Sequence, residues 1–162
     1  MPQLRTRGHV KAPETSPAVR SGIHRTGTVD GRDLIGKMLE YEAAAHAKGI
    51  DVSSGRFEML TVSERQFYRA ELIADYIRLS AGNMGNTQGY FEAALTAFCR
   101  KICDMAIPSH ELIGTYLATL DLVTKEDKLL ELPALEDAVK RTMSQVLQAC
   151  VAELGQRAEL AS

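Results

Sequence analysis

The sequence predicts an all-α protein: a helical bundle of four main helices plus one N-terminal helix, preceded by a disordered tail. Three observations predict it. Beyond residue 30, apolar residues recur at steps of three and four, and no run alternates apolar and polar long enough for a strand. Hydrophobic residues make up 45% of the 162, enough for a core. The periodic stretches are separated by capping and helix-breaking residues. The expected organisation is a disordered basic tail over 1–30, an accessory helix and loop over 31–60, and a helical bundle domain over 61–158.

The tail is rich in Pro, Gly, Ser, Thr and Arg and has no period of 2 or 3.6. Residues 1–32 carry six Lys/Arg against two acids, while the other 130 carry thirteen against nineteen. A basic arm therefore precedes an acidic body. The body is poorly suited to nucleic acid, because phosphate affinity rests on Lys and Arg displacing counterions. No signal-peptide core and no run of about 20 apolar residues is present. Three cysteines, Cys99, Cys103 and Cys150, are too few for a disulfide scaffold, and the expected setting is cytoplasmic.

The first helix lies in "RDLIGKMLEYEAAAHAKG", with Leu34, Ile35, Met38, Leu39 and Ala43 as its stripe and Gly49 as its stop. After the loop "IDVSSGRFEML", Ser63 and Gln66 fit a capping box, with Val62 and Phe67 as a hydrophobic staple. Tyr68, Leu72, Tyr76 and Leu79 mark that helix's face, flanked by Ile73 and Ile77. "GNMGNTQG" then reads as an inter-helix turn. It lacks the preceding strand and the Gly-Lys-Ser/Thr ending of a phosphate loop.

The third helix, 89–106, carries Phe91, Leu95, Phe98, Ile102 and Met105. Pro108 disfavours the helical conformation at Ile107 but suits the first position of a new helix. A fourth helix over 108–123 therefore follows almost at once, with Glu111 in its first turn, where the helix dipole favours a carboxylate. The short turn predicts that these two helices pack antiparallel. Their stripe continues through Leu112, Ile113, Tyr116, Leu120 and Val123. After "TKEDKLLEL", Pro133 opens the last helix, striped by Leu135, Val139, Met143, Val146 and Cys150.

No constellation for catalysis, a cofactor or a metal emerges. Cys99 and Cys103 share one helix face and read as small buried core residues, since a metal site needs two further ligands nearby. Arg100 and Lys101 beside Cys99 favour its thiolate as a secondary reading. His9, His24, His46 and His110 are scattered without the spacing of a helical metal pair. Glu126–Asp127 and Glu136–Asp137 read as solvated pairs.

Residues 67–156 resemble a known family. "FYRAELIADYIRL", "FEAALTAFCRKICDMAIPSHELIGTYLATLDLV" and "ALEDAVKRTMSQVLQACVAEL" are similar to the four-helix dimerisation domain shared by the C-terminal part of the clock protein KaiA and the N-terminal part of the phosphatase regulator RsbU. The most specific piece is the corner Ile107, Pro108, Glu111 and Leu112. "GTYLATLDL", with Gly114 and Tyr116, stands where many members carry a histidine-containing segment. The resemblance implies a homodimer of helical subunits that docks a protein partner, a clock ATPase tail in one case and a switch kinase in the other. Neither a receiver-like nor a phosphatase domain accompanies it, as in a stand-alone adaptor.

The expected function is a non-enzymatic, homodimeric signalling adaptor that binds a protein partner, with no cofactor and no membrane contact. The partner-binding candidates are His110, Glu111, Tyr116, Leu120, Arg100 and Lys101. Two alternatives are a nucleic-acid-associated protein anchored by the tail and a carrier of a small ligand or chromophore between helices, tethered at Cys99 or Cys103.

Overall fold

The structure, a computed structural model, describes residues 31–50, 55–85, 88–125 and 132–161. Among them are five helices and no strand: α1 (Gly31–Ala47), α2 (Val62–Gly82), α3 (Gln88–Met105), α4 (Ser109–Lys125) and α5 (Leu132–Ala161). The tail predicted for 1–30 lies outside the described residues, as does most of the "TKEDKLLEL" bridge. None of the described helices is long and apolar enough to cross a membrane.

Helix ends follow local chemistry. α1 stops at a Schellman motif: Gly49, at φ 66°, donates to His46 while Ile50 donates to Ala45. α2 starts two residues earlier than the Ser63 cap predicts. Thr61 Oγ1 accepts from the Glu64 N–H at 3.3 Å, and the Thr61 N–H donates to Glu64 Oε2 at 2.8 Å. Both Thr61/Glu64 and Ser63/Gln66 match the capping-box spacing, but only the first puts a carboxylate at the third position, where it accepts from the N–H of the cap residue. The Val62–Phe67 staple consequently does not close, and both side chains are exposed. At the other end Asn83 caps α2 and its amide reaches across to Thr142 Oγ1 and Gln145 Oε1 on α5.

The corner between α3 and α4 is a second Schellman motif, with Ala106 at φ 49° and Ile107 donating back to Ile102. Pro108 sits one residue before α4 and accepts from Glu111 and Leu112. The expected packing of α3 on α4 does not occur. They make no helix-to-helix contact, and each lies instead against α2 and α5. A tight corner sets only the turn between two axes, whereas burial decides what they lie on, and α5 offers the larger apolar surface.

That surface explains the architecture. α5 touches all four other helices, and Val139, Met143, Val146, Leu147 and Cys150 are fully buried along it, with Ala138 and Thr142 widening the stripe. α2 packs against α4, α5 and α3, α3 against α5 and α2, and α1 runs along α5 with a lighter contact to α4. The inward face of α1 is Leu34, Met38, Tyr41 and Ala45. Ile35, Leu39 and Ala43 of the predicted stripe point to solvent, Ile35 and Leu39 at 58% and 61% exposure. Tyr41 displaces them because its ring fills more core while its hydroxyl donates to the Ile107 carbonyl at 2.8 Å. The described residues of 31–60 thus share their core with the bundle through Leu34, Tyr41, Ala45 and Phe57. Phe57, in the loop before α2, is also fully buried, packs edge-on against Tyr68 and donates its N–H to Met105.

Candidate partner-binding surface

The six predicted contact residues fall on two separate faces, because α3 and α4 do not touch. On α3, Arg100 pairs with Glu153 of α5 at 3.7 Å. Lys101 lies 2.9 Å from Asp75 and 3.7 Å from Glu71 of α2, with its ammonium 5.1 Å from the centre of the Tyr68 ring. Burial pulls Lys101 toward neutrality, but the Asp75 hydrogen bond together with the charges of Asp75 and Glu71 and the Tyr68 phenol holds the ammonium above its usual range. Both cations therefore tie α3 to its neighbours.

On α4, the Glu111 carboxylate is turned inward, nearly buried, and gripped by Arg69 of α2. His110 is well exposed, with Nε2 3.7 Å from Glu111. Tyr116 and Leu120 are half-buried. Burial raises the Tyr116 phenol, opposed by nearby Lys140.

Residues that the predicted set omits complete a surface with Tyr116 and Leu120. Ile113, Tyr116, Leu117 and Leu120 recur at three and four residues and share one side of α4. That side lies across the helix from Glu111, although Tyr116 still sits near enough to Tyr76 of α2 to add to the rise that burial causes in the Tyr76 phenol. Leu117 is 56% exposed. On α1, Ile35, Leu39 and Glu42 form a second row, and Glu42 accepts a short hydrogen bond from Ser109 Oγ at the start of α4. The sequence signal for this surface is the surplus: α1 and α4 each carry more apolar residues than one buried stripe uses. α1 lies mainly along α5 and only lightly against α4, so the α1–α4 step carries exposed Ile35 and Leu39 on one helix and exposed Leu117 on the other.

A second apolar area surrounds the start of α2, where Met59, Val62 and Phe67 are exposed and Leu60, Phe67, Tyr68 and Met105 line a shallow hollow. Between α2 and α3 lies a cavity of about 330 Å³ with Leu79, Phe91 and Phe98 as its apolar walls and Asp75, Arg78 and Lys101 at its rim. Neither Cys99 nor Cys103 lines it. Among the described residues, no group of three or more His, Cys, Asp or Glu side chains is placed to hold a metal ion.

No protein-family model, curated protein or solved structure matches this chain.

Proposed function

We propose that this protein is a homodimeric adaptor whose subunits join through the step between α1 and α4 and which binds a second protein elsewhere on the bundle. The carrying observation is the set of apolar side chains exposed there, Ile35 and Leu39 on α1 and Leu117 on α4, flanked by Ile113, Tyr116 and Leu120, which pack partly against the core. Large apolar side chains gathered on one face mark association surfaces. A row at helical spacing can meet its own copy about a two-fold axis, as an isologous contact requires. The likeness of residues 67–156 to the KaiA- and RsbU-type dimerisation domain supports the same reading.

The hollow at Met59, Val62 and Phe67 is the proposed partner dock. Its rim carries Glu64 and Glu71, so a partner with an apolar anchor flanked by basic residues suits it.

Light scattering at micromolar concentration tests the dimer, and a dimer is the expected result. A monomer throughout that range overturns the proposal.

A second reading is favoured by the α2–α3 cavity, whose volume falls at the low end of ligand pockets. In that reading the protein carries a small apolar ligand. Native mass spectrometry of freshly purified protein distinguishes the two readings by revealing a bound ligand mass.

A further inference from the structure

All three thiols converge in the core. Cys99 and Cys103, one turn apart on α3, face Val146 and Cys150, one turn apart on α5. Cys99 Sγ lies 3.5 Å from the Val146 carbonyl oxygen, and Cys103 Sγ lies 4.0 Å from that of Cys150. The equal steps mean that α3 and α5 run side by side in the same direction. All three cysteines are free, and the adaptor reading uses none of them.

We propose that Cys103 and Cys150 are an oxidation site: a hydroperoxide oxidises Cys103, and Cys150 then resolves it to a disulfide that ties α3 to α5. This inference stands independently of the dimer.

The surroundings separate the roles of the two sulfurs. The Cys150 thiol hydrogen-bonds to Cys103 and favours its thiolate, against the opposing effect of burial, with further help from the Arg157 guanidinium and opposition from Glu153 and Asp104. Cys150 is held as the thiol, well above its usual range, by its hydrogen bonds to Cys103 and Cys99 and by complete burial. Cys103 is also nearer the surface, 5% exposed where Cys150 is fully enclosed, and it sits beside exposed Asp104. Arg100 and Lys101, next to Cys99 in sequence, are engaged with Glu153 and Asp75.

The steps balance. With hydrogen peroxide as the hydroperoxide, the Cys103 thiolate attacks one peroxide oxygen, the O–O bond breaks, and hydroxide leaves and takes up the proton that Cys103 released, becoming water. The product is a sulfenic acid. Cys150 sulfur attacks that sulfur, the S–O bond breaks, and the hydroxyl departs with the Cys150 proton as a second water. Two electrons from two thiols have reduced one peroxide, and the S–S bond closes to about 2.05 Å.

The test is peptide mapping of the folded full chain after treatment with hydrogen peroxide, acid quenching and alkylation of the remaining thiols. The expected result is a Cys103–Cys150 crosslink two hydrogens lighter than the thiols, with Cys99 alkylated. The same treatment in urea is expected to favour Cys99–Cys103, the shortest loop in an unfolded chain. Cys150→Ser is expected to leave a dimedone-reactive sulfenic acid at Cys103. If that variant misfolds, the wild-type map still decides. Consumption of Cys99 first, an identical pairing pattern in urea, or three alkylatable thiols after prolonged treatment would each overturn the proposal.

Discussion

Arg69 on α2 holds Glu111 on α4 with two nitrogens on one edge of its guanidinium: Nη2 lies 2.5 Å from Oε1 and Nε 2.8 Å from Oε2. The pair is asymmetric, since Glu111 is nearly buried while Arg69 is about half-exposed and lies over the Phe57 ring. Removing the arginine strands a carboxylate away from water, whereas removing the acid leaves a cation that water can reach. Arg69→Met is therefore expected to cost about 1–2 kcal/mol, at the lower end for charged hydrogen bonds because of the exposed partner. Glu111→Gln should cost less. Urea melts at neutral pH check the order, and equal or reversed losses would contradict it.

The same pair predicts a pH dependence. The hydrogen bonds from Arg69 hold the Glu111 carboxyl below its ordinary value of 4.5, against the opposing effect of burial. Its contribution to stability is then complete above that ordinary value and fades as pH falls through the lower folded value. The stability gap between wild type and Glu111→Gln should narrow progressively below about pH 4.5. A gap independent of pH between neutrality and pH 3 would refute this.

Tyr41 and Tyr76 each donate from the core to a backbone carbonyl, of Ile107 and Val139 respectively. Their phenylalanine variants should differ. Ile107 lies in the corner outside any helix, so losing Tyr41 removes a partner from a buried carbonyl, at about 1–3 kcal/mol. Val139 lies in the first half of α5, where its carbonyl keeps the helix's own hydrogen bond, and Tyr76→Phe should cost about 0.5–1.5 kcal/mol. Thermal melts of both variants decide the ranking.

The start of α2 offers a direct comparison of two caps. Thr61→Ala removes the side chain that accepts from Glu64 and should cost about 1 kcal/mol. Ser63→Ala, at the competing position, should change stability by less than about 0.5 kcal/mol. A larger loss at Ser63 would put the cap where the sequence first suggested it.

On α4, depth separates folding from assembly. Leu120→Asp places a charge on a side chain packed against the core and should lower the melting temperature. Leu117→Asp, one turn earlier and more than half exposed, should leave melting nearly unchanged and abolish the dimer. A dimer that survives Leu117→Asp would move the seam away from the α1–α4 step.

The helices were legible from the sequence because their information is local. Steps of three and four placed Leu72, Tyr76 and Leu79, and Phe91, Phe98 and Ile102, on buried faces, and Gly49 and Pro108 stood close to the ends they were expected to mark. What failed was relational. Ile35 and Leu39 look as apolar as Leu34, and the short corner at Ile107 and Pro108 looks able to lay α3 on α4. Only neighbours distant in sequence break such ties: the Ile107 carbonyl that takes the Tyr41 hydroxyl, and the α5 surface that draws α3 and α4 apart. The proposed surface has the same origin, since an apolar row signals burial or association equally until the fold shows which rows it has covered. Hydrophobic period is a property of one helix, whereas pairing depends on how much area each alternative removes from water, and that sum exists only once all five helices are assembled.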